Sequence, residues 1–194
     1  MSVPVDPIQR FRELYARASD DAPFDPAAVV LATATRDGRP SARVVLLRRV
    51  DELGFGFYTN YESRKGRELR ENPWAALCCY WPWLDEQVRI EGPVSVAPPE
   101  DSDDYFASRP RGSRIGAWAS RQSEPLPSRA ELEARYEALE REYEGRDIPR
   151  PPFWGGYRLR PERIEFWRAG RYRLHDRQLY VREGSGWRTE TLYP

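Results

Sequence analysis

Four groups of residues have the types and spacing to do chemistry. In Tyr58-Thr59-Asn60-Tyr61-Glu62-Ser63-Arg64-Lys65 a β-rich run gives way to a helix start at Ser63, and the first helical turn carries two cations. Unpaired backbone N–H groups and the helix dipole attract an anion at such an end, and the two cations would hold a phosphate there. The same cations oppose the dipole, a conflict that a bound anion relieves; without one, the pattern is a solvated helix start. Lys65 is also the single lysine among 31 basic residues. Arg43 precedes the apolar run Val44-Val45-Leu46-Leu47, and Arg48-Arg49 follows it. From a strand, Arg43 points either into a site or out from an edge. Arg109-Pro110-Arg111-Gly112-Ser113-Arg114, with Tyr105 upstream, is a dense cationic turn. It suits a second phosphate or a carboxylate, or, as a local basic patch, nucleic acid with steeply salt-dependent affinity. In Arg173-Leu174-His175-Asp176-Arg177, strand alternation sets Arg173, His175 and Arg177 on one cationic face, where His175 is either functional or structural.

Other chemistries find less support. The chain has no G-x-S-x-G, no G-x-G-x-x-G and no P-loop, and one histidine must serve any triad. Paired-carboxylate hydrolysis has 31 acids to draw on but no motif. No Cys/His set has zinc spacing. Cys78 and Cys79 are adjacent, so in an extended segment they point to opposite faces and are poorly placed for a mutual disulfide.

The elements that must position these residues begin with a helix over 6–18. Asp6 caps it, Pro7 takes its first position and Gln9 completes a capping-box-like pattern. Strands follow at Ala28–Ala34, Ala42–Val50 and Gly54–Asn60, with Asp37-Gly38 as a hairpin turn. Ser63 caps a short helix to Glu71, which Asn72-Pro73 stops. Two more strands are expected at Ala75–Trp81 and Glu86–Val96. A Pro- and Asp-rich stretch, 98–104, leads to a helix-like run through Phe106, and 107–126 reads as irregular. Ser128 opens a helix that Gly145 ends, with Leu132, Tyr136, Leu139 and Tyr143 as its stripe. Pro149, Pro151 and Pro152 form a stiff linker, and 155–193 reads as three or four strands. Strands in runs, with helices inserted, give an α+β antiparallel barrel or sheet and not alternating βαβ units.

Composition narrows the class. The 194 residues suit one domain, 1–194, with a core that needs no disulfides. Thirty-one acidic residues balance the 31 basic ones, which weighs against a dedicated nucleic-acid binder. Mean hydropathy is −0.80, and no run approaches a membrane helix. The first residues lack the basic and apolar regions of a secretory signal, and with two unpaired cysteines the expected compartment is the cytoplasm.

Taken in order, these segments resemble the pyridoxamine (pyridoxine) 5′-phosphate oxidase family, flavoproteins built on an FMN-binding split barrel. The resemblance runs from about Asp6 to Pro194. It is carried by Ser41-Ala42-Arg43-Val44-Val45-Leu46-Leu47, Phe57-Tyr58-Thr59-Asn60, Ser63-Arg64-Lys65 and Gln87-Val88-Arg89-Ile90-Glu91-Gly92. Tyr105-Phe106, Ser108 to Ser113, Ile115-Gly116-Ala117, Gln122-Ser123, Trp154-Gly155-Gly156, Glu165-Phe166-Trp167 and Arg173 to Arg177 continue it.

The resemblance implies an antiparallel Greek-key split β-barrel with flanking helices, working as a homodimer with FMN at the subunit interface. It implies FMN contacts from Arg43, Val44, Val45, Leu46, Tyr58, Thr59, Arg64 and Lys65, completed by Gln87, Gln122, Ser123, Trp167 and Arg177, some from the second subunit. Arg48, Tyr105, Arg109 and Ser113 would hold the substrate phosphate. Arg173 and His175, the implied catalytic residues, would line the pyridine ring from the partner chain. The implied reaction oxidises pyridoxamine or pyridoxine 5′-phosphate to pyridoxal 5′-phosphate, with oxygen as acceptor and hydrogen peroxide released. Neither nucleic acid nor membrane enters it. Two features depart from the family pattern. Arg48 stands where a lysine is usual, and only five residues precede Asp6, so the family's N-terminal lid is expected to be missing or reduced. Both leave room for a related flavin oxidase with another substrate, such as a phenazine-type intermediate. A non-catalytic flavin or pyridoxal-phosphate binding protein is a further alternative.

Overall fold

The computed structural model describes residues 6–20 and 22–194; the expectation about a lid ahead of Asp6 lies outside them. Helix α1 spans Pro7–Ser19. The Asp6 carboxylate accepts a hydrogen bond from the Ile8 N–H, which satisfies one orphan donor of the first turn. Gln9 does not complete the expected capping box, because its amide donates forward to Glu13. The helix buries Ile8, Phe11, Leu14 and Ala18 against the strands, with Phe11 edge-on to Phe55 at 4.9 Å.

Strands β1 (Ala28–Ala34), β2 (Pro40–Asp51), β3 (Gly54–Asn60), β4 (Trp74–Trp81), β5 (Glu86–Val96) and β6 (Trp154–Leu159) pair antiparallel in the order β4-β1-β2-β3-β6-β5. A further β4–β5 pairing closes them into a barrel. Its interior is filled by alternate residues such as Val29, Leu31, Phe55, Phe57, Leu77, Val88 and Ile90. From β5 the sheet continues through β7 (Arg163–Arg168), β8 (Asp176–Glu183) and β9 (Gly186–Thr191). The α+β antiparallel split barrel expected from the sequence is therefore the fold, and the strands fall within two residues of the expected bounds.

Helix α2 (Arg64–Glu71) starts where expected, with Ser63 Oγ accepting from the Gly66 N–H. Position 66 has room for glycine alone: a Cβ would sit 2.0 Å from the Tyr61 carbonyl oxygen. Gly66→Ala must push α2 off that backbone. It should cost about 2–4 kcal/mol and lower the melting temperature by roughly 5–15 °C, as thermal unfolding would show.

Three expectations need correction. The Pro- and Asp-rich stretch is itself part of a helix, α3 (Pro99–Ser108), with Pro99 in the first position and Glu100 and Asp101 in the first turn, where the dipole favours acids. Residues 107–126 are not all irregular, because α4 occupies Arg111–Ala119. Its Arg, Gly and Ser content hides the apolar pair Ile115 and Ala119, one turn apart and both buried. Helix α5 (Arg129–Glu142) is shorter than expected, though Ser128 caps it as read. Tyr136, Leu139 and Tyr143 pack it against the cluster around Ile115 and Trp154. Among the described residues no helix is long and apolar enough to cross a membrane.

Candidate active site

A cavity of about 760 Å³ opens between β2, the end of β3, the start of α2, helices α3 and α4 and the loop after α4. It gathers the first group of expected residues: Arg43, Val44, Val45, Leu46, Tyr58, Thr59, Arg64, Lys65, Gln122 and Ser123 all line it. So do Arg48, Tyr105, Arg109 and Ser113.

Lys65 is buried at one end. Its ammonium donates to Thr59 Oγ1 at 3.0 Å, Ser63 Oγ at 3.2 Å and Gln122 Oε1 at 2.8 Å, all uncharged acceptors. Burial, then the Arg43 charge, push its pKa down to about 8, while Glu68 works the other way. A buried cation with only neutral partners is incompletely compensated, and an anion is what it lacks. Arg64 sits one residue earlier, held through Nε by Glu68 at 2.9 Å. Arg43 lines the cavity, yet its guanidinium donates inward, to Leu31 O, Thr33 Oγ1, Ser41 Oγ and Glu68. The strand reading that offered site or edge is thus answered by a third position, beneath the cavity wall.

At the other end lies an aromatic stack. Tyr58 and Tyr105 overlap with centroids 4.0 Å apart, and Trp154 lies nearly parallel to both. Arg109 rests over the Trp154 ring, with its guanidinium carbon 4.8 Å from the centroid. Its amino group NH1 is buried and has no hydrogen-bond partner among the described residues. Burial lowers the Arg109 pKa. An unsatisfied buried donor on a cation costs free energy unless a ligand takes it, and a phosphate or carboxylate is the matching acceptor. Arg48 is the unpaired residue of the bulge between Leu47 and Arg49, where the β2–β3 register slips, and it borders both this cavity and a smaller one lined by Phe11, Arg12 and Tyr15.

The remaining expected residues stand elsewhere on the chain. Gln87, Trp167 and Arg177 form one cross-strand row on β5, β7 and β8. Arg177 is paired to Glu165 at 2.8 Å. Arg173 and His175 do not share a strand face with Arg177, as alternation suggested: Arg173 ends a 3-10 turn, Arg171–Arg173, and β8 begins only at Asp176. Tyr172 and Arg173 both hold left-handed backbone, with φ of 59° and 64°, which breaks the strand there. The His175 ring lies 4.7 Å from that of Trp167, and its Nδ1 accepts from the Gly170 N–H at 3.2 Å. Nδ1 therefore carries no proton in this arrangement, and Nε2 is the donor.

Sequence reasoning named no role for Ser41, Asn60, Ser120 or Trp154, which also line the cavity, nor for Glu68 beneath it. The Arg64–Glu68 spacing was legible as an i,i+4 pair, but such pairs are common on exposed helix faces.

Comparison with known proteins agrees with this geometry. Residues 18–142 match the family model described as pyridoxamine 5′-phosphate oxidase, and 154–194 match that of the pyridoxine 5′-phosphate oxidase C-terminal dimerisation region. A Myxococcus xanthus (strain DK1622) protein named pyridoxine/pyridoxamine 5′-phosphate oxidase is 59% identical over 192 residues, covering 99% of this chain and 93% of its own. One of the same name from Rubrobacter xylanophilus is 60% identical over 189 residues, covering 97% and 87%. The solved structure of PhzG from Burkholderia lata 383, in complex with tetrahydrophenazine-1-carboxylic acid, superposes with a TM-score of 0.93 at 38% identity, covering 100% of this chain and 95% of that one. On the split barrel, its cationic cavity and these matches across nearly its whole length, the chain belongs to the pyridoxamine 5′-phosphate oxidase family.

Proposed function

We propose that this protein is an FMN-dependent oxidase that converts pyridoxamine or pyridoxine 5′-phosphate to pyridoxal 5′-phosphate, with oxygen as acceptor and hydrogen peroxide as second product. The observation that carries this reading is a pair of cationic points in one cavity, each lacking an anion. One is the buried Lys65 ammonium with its three neutral partners; the other is the orphan NH1 of Arg109. A flavin mononucleotide and a phosphorylated substrate each bring one phosphate.

The donor set fits FMN. Lys65 and Arg64, at the first turn of α2, would hold its phosphate, and Thr59, Gln122, Ser123 and the Val44–Leu46 backbone would border the rest. Bound FMN supplies the two-electron redox chemistry. The chain's own residues bind and orient. Arg109 and Arg48 neutralise the substrate phosphate, Ser113 and Tyr105 flank them, and the Tyr58–Tyr105–Trp154 stack walls that end of the cavity. His175, protonated at Nε2, offers one hydrogen bond to a ring substituent, and Arg173 lies two residues before it, at the end of the 3-10 turn.

Those last two residues, with Gln87, Trp167 and Arg177, would reach the cavity from a second copy. Val30, Val44 and Tyr80 are 41%, 63% and 54% exposed. Val44 pairs across to Val30 and Tyr80 to Gln87, on one outward sheet face. A homodimer that covers this face buries its apolar residues and brings Trp167 and His175 of one subunit toward the cavity rim of the other. The whole chain, 1–194, is read as one domain, because a single sheet order links β1 to β9. The cytoplasm is the proposed compartment, supported by the two free cysteines, of which Cys79 is buried.

A second reading is supported by the PhzG likeness at 38% identity: the planar substrate could be a polycyclic carboxylate, which Arg109 would also accept. Incubation with each substrate in air separates them. Equal amounts of pyridoxal 5′-phosphate and peroxide from pyridoxine 5′-phosphate are expected. Peroxide from a phenazine-type precursor alone would replace the first reading by the second.

His175→Ala tests the composite site. FMN affinity should stay within about threefold, while kcat/KM falls roughly 30–300-fold, the scale of one lost oriented hydrogen bond to a charged or reacting group. Unchanged kcat/KM would leave His175 as the acceptor of the Gly170 N–H and nothing more.

A further inference from the structure

Beneath the cavity wall lies a buried carboxylate, Glu68, that takes no part in the chemistry described so far. The Glu68 side chain is 5% exposed. It sits where three elements meet. Thr33 Oγ1 on β1 donates to its Oε2 at 2.5 Å, and Ser41 Oγ on β2 donates to the same oxygen at 2.6 Å. Arg43 reaches Oε2 at 3.3 Å, and Arg64 Nε reaches Oε1 at 2.9 Å. Thus one carboxylate grips the two arginines that flank Lys65. It takes Arg64 through Nε, which leaves the terminal amino groups of that guanidinium available to a ligand.

Resting on the FMN reading, we infer that Glu68 is the positioning residue of the flavin-phosphate site, fixing Arg43 and Arg64 and setting the charge of the cluster. Arg43, Arg64 and Lys65 are three cations around one end of the cavity, and Glu68 reduces their net charge to two. A phosphate monoester carries nearly two negative charges at neutral pH, so the site and the group match. Without the carboxylate, three like charges repel one another. The Arg64 side chain, 59% exposed, is then free to swing into solvent and must be ordered again by the ligand.

Two further observations support this. Burial works against the Glu68 charge, but hydrogen bonds from Ser41, Thr33 and Arg64 and the Arg43 charge outweigh it and hold the carboxyl down at about 2. It is therefore ionised wherever the enzyme works. Glu68 also opposes the downward push of Arg43 on Lys65. The carboxylate thus helps keep the neighbouring ammonium charged.

The test compares FMN with riboflavin, which lacks the phosphate. Their dissociation constants are measured on the flavin-free, full-length protein by quenching of flavin fluorescence. Wild-type protein should prefer FMN by about 100-fold or more; no preference would remove the phosphate-site reading itself, and the Glu68 inference with it. Given that preference, Glu68→Gln should reduce it about tenfold or more while the riboflavin constant moves less than about threefold. General loosening of the fold would weaken both ligands alike, so the ratio isolates positioning. In the Glu68→Gln background, Arg64→Met should cost far less FMN affinity than it does in the wild type. A preference that stays or grows in Glu68→Gln, or additive effects in that cycle, overturns the inference. Should Glu68→Gln fail to fold, Ser41→Ala takes one donor from the same carboxylate and leaves both arginines. It should lower the preference about threefold, and no decrease there overturns the inference equally.

Discussion

Lys65→Ala should weaken FMN binding by about 100-fold or more without unfolding the protein, the scale of losing one partly buried cation from a phosphate. The expectation rests on what the ammonium touches. Its three partners, Thr59, Ser63 and Gln122, are neutral and remain able to bond one another or water after the change. Thr59 Oγ1 already donates to Gln122 Oε1 at 3.1 Å. Removing a poorly compensated buried charge carries little penalty for the free protein, so its melting temperature should hold or rise. The pH dependence gives a second sign. The Lys65 pKa falls from 10.5 to about 8 in the folded free protein. Between those values the unfolded chain binds more protons, so the free protein gains stability as pH rises through that window. FMN affinity should run the other way and fall above about pH 8, because a neutral amine no longer attracts the phosphate. Isothermal titration with FMN at pH 7 and 9, in wild type and Lys65→Ala, checks both. Equal FMN affinity in the two proteins would remove Lys65 from the site.

Arg109→Met should raise the KM for pyridoxine 5′-phosphate about 100-fold while FMN affinity changes less than about threefold. Methionine keeps apolar contact with Phe106 and Trp154, the two rings on which Arg109 rests at 5.6 and 4.8 Å. What it removes is the buried NH1 that has no partner within the described chain. Steady-state kinetics on the FMN-saturated variant give the split. A KM within threefold of wild type would mean that the orphan amino group serves no substrate phosphate, and Arg48 alone would have to hold it.

Much of this was legible in the sequence, for identifiable reasons. The barrel strands were legible as β-rich, largely apolar runs bounded by local turn and cap signals such as Asp37-Gly38 and Asn72-Pro73, whereas the alternation along β4 and β5 is one of burial. The two ends of α2 were legible from Ser63 and Asn72-Pro73, which act locally. Helix α4 was not, because two buried apolar residues among arginine, glycine and serine give too weak a period. The break at Tyr172–Arg173 was not, because nothing in an Arg-Tyr-Arg-Leu-His run announces left-handed backbone at non-glycine residues. That break is also why Arg173, His175 and Arg177 left the common face that alternation gave them. Glu68 stayed hidden because its neighbours come from three separate elements. The division of the expected residues between one cavity and a distant sheet row entered only through the family resemblance, since it follows from pairing two copies and not from any local pattern.

One measurement bears most directly on the central claim that this cavity oxidises a vitamin B6 phosphate. The FMN-loaded protein is held without oxygen, and its visible spectrum is taken before and after adding pyridoxine 5′-phosphate. The flavin band should bleach, and it should return on admission of air with one pyridoxal 5′-phosphate formed per flavin reduced. A band that stays unchanged with saturating substrate, while FMN remains bound, would contradict the oxidase assignment and leave a flavin-binding barrel with a different substrate or none.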